Sequence, residues 1–117
     1  MIILNPFSEN TDFSNFTFDA VYLKDSNSVS ITFSDTNTKS SFAVLEILGM
    51  ESTFHEEFEI YDSNFTKLVP LDKVPKYGWK TTPVTLEITY GESIVYMKTE
   101  IHDKDQISSV VIFGKSD

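Results

Sequence analysis

Along most of this chain apolar and polar residues alternate with a period of two, and clusters of Asp, Ser, Asn and Gly interrupt the alternation. A strand turns successive side chains to opposite faces, so the pattern predicts half-buried β-strands. Residues 16–23 are aromatic and β-branched and stop at 24–28, a turn composition. Val29, Ile31 and Phe33 then alternate with Ser30, Thr32 and Ser34. The two segments read as a hairpin with one wet and one dry face. After the polar stretch 35–39, residues 42–48 are apolar on both faces except for Glu46, which predicts a central strand. Ala43, Leu45 and Leu48 would also suit a short helix, but the length of the run and the flanking Gly49 favour strand. Residues 53–61 alternate again. Phe54, Phe58 and Ile60 fall on one side and His55, Glu57, Glu59 and Tyr61 on the other, before a turn over 62–64.

Residues 65–83 hold Pro70, Pro75, Pro83, Gly78 and the single tryptophan, Trp79. Proline removes a ladder donor and restricts the residue before it, so this stretch is expected to be an irregular connection. Connections this long in small domains often carry function. Alternation returns in 84–90, with Val84, Leu86, Ile88 and Tyr90 on one face. Gly91-Glu92 predicts a two-residue hairpin turn of the glycine-first kind. Residues 93–101 then pair back, 102–105 turn, and 107–113 form a closing strand. The expectation is a single all-β, mainly antiparallel domain over residues 1–117, a small β-sandwich or flattened barrel of about seven to eight strands. A short helix would fit within 7–15 or 70–77. Asn15-Phe16-Thr17 and Asn64-Phe65-Thr66 share a tripeptide but make no repeat; both are formal glycosylation acceptors, of consequence only in a secreted chain.

Composition supports a self-sufficient core. With 117 residues, 40% hydrophobic and 14% aromatic, the chain can bury roughly 65% of the surface its unfolded form exposes. Cysteine is absent, so neither disulfides nor thiolate zinc sites are available. Residues 1–4 lack a basic flank and meet Asn5-Pro6 at once, so they are not expected to act as a signal peptide, and no apolar run approaches the ~20 residues of a membrane span. A cytoplasmic location is expected.

Charge narrows the function classes most. Nine Lys and no Arg face eighteen Asp plus Glu, a net charge of −9. Nucleic-acid binding needs cations for phosphates and favours Arg for reading guanine, so a nucleic-acid ligand is not expected. The same field attracts a cationic partner. Catalysis has little to stand on: Gly-x-Ser-x-Gly and phosphate-cradling glycine loops are missing, and neither His55 nor His102 has a triad context. His55-Glu56-Glu57 and the 102–105 cluster match no metal-site spacing, so no enzyme activity, metal or cofactor is expected. Residues 51–62 stand out, with five acidic residues, three aromatics and no Lys. We therefore take His55, Glu57, Glu59, Tyr61 and Asp62, with Tyr77 and Trp79 as aromatic anchors, as the candidate partner-binding set. The alternative for these residues is a wet strand face with Trp79 in the core.

A Cys-free, acidic β domain rich in Asn, Ser, Lys and Ile resembles the immunity proteins of bacterial polymorphic and contact-dependent inhibition toxins. Residues 42–49, an acidic strand after them and a hairpin meander over 84–113 are similar to several such families. The resemblance implies binding of a cognate toxin domain, often a basic nuclease, in the cytoplasm, with the acidic face covering its active site. Two other classes fit the composition: a phage-encoded inhibitor that mimics nucleic acid, with carboxylates along an extended surface, and a structural or carbohydrate-binding β module with an exposed aromatic platform.

Overall fold

The computed structural model describes residues 13–49, 53–71, 79 and 82–116. Their alternating segments become nine strands: β1 (Phe16–Leu23), β2 (Ser28–Asp35), β3 (Ser40–Ile47), β4 (Phe54–Glu59), β5 (Asn64–Pro70), β6 (Pro83–Tyr90), β7 (Ser93–Glu100), β8 (His102–Asp103) and β9 (Ile112–Ser116). They form two packed sheets, ordered β5-β2-β1-β8 and β4-β3-β6-β7-β9. Every pairing is antiparallel except the short parallel pair β1–β8. This is a β-sandwich, the first of the two expected architectures.

The dry faces meet as the alternation predicts. Phe18, Ala20, Val29, Ile31, Phe33 and Val69 of the four-stranded sheet are buried against Ala43, Leu45, Ile47, Val84, Leu86, Ile88, Val95 and Met97 of the five-stranded one. At one end of the interior the aromatic rings run on from one to the next. Phe58 of β4 meets Phe65 of β5 edge-on with centroids 4.9 Å apart, and Phe65 stacks on Phe33 at 5.5 Å. Phe33 neighbours Phe16 at 6.0 Å, and Phe16 reaches back to Tyr90 and Phe113 of the five-stranded sheet. The series starts in one sheet, crosses the other and returns.

Turn chemistry sets the register. Gly91 has φ 61°, as a glycine-first hairpin requires, and Tyr90 pairs with Ser93 across it. Asn27 takes φ 49° in the β1–β2 turn. Its side chain accepts from Tyr22 Oη at 2.7 Å and donates to the Leu71 carbonyl at 3.0 Å, tying the end of β5 to the first hairpin. Between β2 and β3 the chain changes sheets around the Asp35 carboxylate. That group accepts hydrogen bonds from Asn15 Nδ2, the Asn37, Lys39 and Ser40 amides and Ser40 Oγ, at 2.7 to 3.1 Å.

Three expectations need correction. Residues 64–70 are a strand rather than the start of an irregular connection. β5 is an edge strand paired only with β2, and Pro70 closes it where the ladder ends and a missing donor matters least. The closing segment 107–113 is mostly not strand: β9 begins at Ile112, and Ile107 and Val110 are exposed. The meander expected over 84–113 is broken, because after β7 the chain passes through Ile101 alone into β8 of the other sheet. No helix occurs among the described residues, and the stretches 7–15 and 70–77 lie largely outside them.

The sheets' neighbouring edges, β4 and β5, are closed by an inward-facing ion pair. Lys67 Nζ sits 2.6 Å from Glu56 Oε2 and 4.7 Å from the Phe58 ring centroid. Inward charge at an edge opposes pairing with a second molecule. It also takes Glu56 out of the acidic surface.

Candidate functional site

Strand parity turns His55, Glu57 and Glu59 of β4 outward, and all three are exposed. Register supplies their neighbours. Glu46 of β3 stands opposite His55, and Val44 stands opposite Glu57. Across β6, β7 and β9 the same row continues from Val44 to Glu87, Tyr96 and Gly114, while Glu46 leads to Thr85, Lys98 and Ile112. With neighbouring strands ~4.8 Å apart and same-face residues ~6.8 Å apart along a strand, these side chains share one continuous surface. Among the described residues its carboxylates are Glu46, Glu57, Glu59, Glu87 and Glu100, set against Lys98 and His55.

His55 is the centre of charge on this face. Nδ1 lies 2.6 Å from Glu46 Oε2 and Nε2 lies 2.8 Å from Glu57 Oε2. Carboxylates only accept when ionised, so the imidazolium donates to both. The hydrogen bond to Glu46, then that to Glu57, raise the His55 pKa above its ordinary 6.5, against a smaller opposing effect of desolvation. A raised folded-state value means that the contact supports the fold fully below about pH 6.5 and fades as pH rises through the folded value. In Glu46→Gln, where the larger cause is removed, the His55 ring-proton NMR titration midpoint is expected to fall toward 6.5. An unchanged midpoint would show that the carboxylate does not hold the ring.

The remaining sequence candidates divide. Tyr61 extends the β4 row at 75% exposure and Asp62 follows it, both outward. Trp79 belongs elsewhere. It is half-buried, packs on Tyr22 of the four-stranded sheet with centroids 4.9 Å apart, and its Nε1–H donates to Asp103 Oδ1 at 3.4 Å. Tyr77 lies outside the described residues. The face also gains members that sequence reasoning does not select: Glu46, Glu87, Tyr96 and Ile112. Tyr96 at 44% exposure and Ile112 at 65% flank a shallow concavity of about 420 Å³, floored by Val44 and Gly114. The alternation of β6 and β7 hints at Glu87 and Tyr96, and Glu46 shows as the polar exception in 42–48, but neither pattern says which strand lies beside which.

The second histidine lies in the other sheet, away from this face. His102 is buried; its Nδ1–H donates to the Asp103 carbonyl at 2.8 Å and Nε2 lies 2.7 Å from Asp19 Oδ1. Ser108 Oγ donates to Asp19 Oδ2 at 3.3 Å. A nucleophilic triad places histidine between serine and acid, whereas here the acid stands between the other two. The arrangement fastens β8 and the segment after it to β1. Among the described residues no group of three or more His, Asp or Glu converges to hold a metal ion, and no helix is long and apolar enough to cross a membrane. No protein-family model matches this chain, and neither a curated protein nor a solved structure shows detectable similarity to it.

Proposed function

We propose that this chain is an immunity-type inhibitor that binds a cognate basic toxin domain through the outer face of the β4-β3-β6-β7-β9 sheet. The observation that carries the reading is the grouping of Glu46, Glu57, Glu59 and Glu87 on the β4, β3 and β6 side of one sheet face, beside the exposed apolar pair Tyr96 and Ile112 on β7 and β9. A protein interface combines aromatic or aliphatic anchors with charged groups beside them. The like charges of Glu57 and Glu59, two residues apart on one face of β4, repel by about tenths of a kcal/mol, and a cationic partner relieves that repulsion. The carboxylates are gathered into one patch, which fits the covering of a single basic site better than mimicry of an extended nucleic acid. In the cytoplasm such a domain would sit where the toxin's anionic substrate would otherwise bind, and carboxylate pairs to toxin Lys or Arg would hold it there.

Co-expression with the C-terminal domain of the protein encoded immediately upstream tests the reading. A stable complex is expected. Glu57→Lys combined with Glu59→Lys is expected to weaken it about a hundredfold at low ionic strength, with a smaller loss in high salt. A complex that fails to form, or one indifferent to the double reversal, removes the assignment.

A further inference from the structure

Among the described residues nothing requires glycine at position 114. It lies in β9, outside the left-handed region that favours glycine, and the space where its side chain would stand is open. Glycine weakens a strand relative to a residue with a side chain, and in strand interiors it often marks a place where a ligand or another chain comes close. The space above Gly114 is continuous with the concavity flanked by Tyr96, and Glu87 stands on its wall without an ion pair or hydrogen bond among the described residues. Lys98 also lines the concavity, beside Ile112.

Resting on the reading of this face as the partner-binding surface, we propose that the concavity receives one arginine side chain of the partner. Its aliphatic stem lies over Gly114, its guanidinium plane on the neighbouring Tyr96 ring, and its N–H groups reach toward Glu87, the next residue along the same row. Arginine fits better than lysine because a planar guanidinium stacks on an aromatic ring and pairs with a carboxylate through two parallel hydrogen bonds, while an ammonium does neither. The apolar floor suits the stem, and the surplus of carboxylates over Lys98 suits the head.

The test is an NMR titration of the ¹⁵N-labelled full chain with the blocked tripeptide glycyl-arginyl-glycine, with glycyl-lysyl-glycine as control. Saturable shifts are expected at the Val44, Glu87, Tyr96 and Gly114 amides, with the arginine peptide about fivefold tighter than the lysine peptide. Gly114→Leu fills the concavity and should remove the arginine response, whereas Gly114→Ala should keep it within about twofold. Tyr96→Leu, which keeps an apolar cover without a π face, should erase the preference for arginine and serves if the leucine at 114 is not tolerated. Lys98→Ala should tighten arginine binding. Equal response to both peptides, or an unchanged response in Gly114→Leu, overturns the proposal. If that happens while the upstream domain still co-purifies, the acidic face stands and only the arginine socket falls; loss of both removes both.

Discussion

Replacing Asp35 by Ala is expected to lower the melting temperature by about 10 °C, the equivalent of roughly 3 kcal/mol in a domain of this size. Asp35 is only 4% exposed, and its carboxylate is the shared acceptor for Asn15, Asn37, Lys39 and Ser40. Those donors bend the chain from β2 of one sheet to β3 of the other, through a loop that holds the β-branched Thr38 at φ 54°. A β-branched residue there is strained, and the loop keeps that shape only while the carboxylate holds it. Without the acceptor, Ser40 is left with buried donors and the loop opens to water. Asp35→Asn preserves the shape but replaces one accepting oxygen by a donor, and should cost about half as much. Burial alone would raise the Asp35 pKa, but the hydrogen bonds from Ser40, Asn15, Asn37 and Lys39 together outweigh it and leave the value below the ordinary 3.8. The depressed folded value means the stabilisation is present above about pH 4 and is lost as pH falls through the folded pKa. Thermal melts by circular dichroism between pH 3 and 7 check both parts. The gap between wild type and Asp35→Ala should be widest near neutrality and close in acid. A gap that is small at pH 7 would mean that the loop does not depend on this carboxylate.

Phe33→Ala is expected to be at least as damaging, at about 3 to 5 kcal/mol. Phe33 is 2% exposed and is the middle member of the ring series, in contact with Phe16 on one side and Phe65 on the other. Truncation leaves a cavity between the sheets and removes two ring pairs at once, each worth about 0.5–1.5 kcal/mol beyond the area it buries. Phe33→Leu keeps most of the volume and should cost about 1–2 kcal/mol, mainly the lost ring pairs. Urea unfolding followed by Trp79 fluorescence is a suitable readout, because Trp79 packs against the core through Tyr22, away from the substitution. The midpoint should fall with little change in slope. A loss below 1 kcal/mol for the alanine variant would show that the rings do not act as a continuous support.

Asp35 and Phe33 both belong to β2, one of the strands that the alternation of residue types marks by itself. Most of the fold is legible in the same way. Period-two alternation identifies β1, β2, β4, β6 and β7, because a sheet with one dry face writes itself into every second residue, and the apolar run of 42–48 identifies β3 as a central strand. It misreads β5, where Leu68 is outward and 57% exposed and prolines follow closely, and it misplaces β9, because the apolar Ile107 and Val110 are exposed. Apolarity is a poor guide at edges, where a strand has only one neighbour to satisfy. The assignment of strands to sheets is not legible at all. Nothing local in Ile101 announces that one residue carries the chain from β7 to the opposite sheet. The same division holds for the candidate face. Parity along β4 places His55, Glu57 and Glu59 together. Glu46 joins them through the register of the consecutive strands β3 and β4, and Glu87, Tyr96 and Gly114 only through registers between segments far apart in the chain. Trp79, attractive as an exposed aromatic in a proline-rich stretch, is drawn instead to Tyr22 and Asp103.

The turn that follows the acidic strand bears on how fast a partner could dock. Asp62 and Ser63 have φ values of 59° and 55°, and Tyr61 bridges Asn64 across them, so the passage from β4 to β5 is as short as a two-residue hairpin loop. Ser63 Oγ donates to the Ser40 carbonyl at 3.2 Å, and the Ile60 amide donates to the Ser41 carbonyl at 3.0 Å, so the passage is fastened to the start of β3 as well. A strand held this closely at its exit has little slack to shift when something lands on it. Encounter with the proposed partner would then be a matter of orientation and long-range attraction rather than of waiting for a rare shape, with the rate of capture set by the field of the surface before any contact is made.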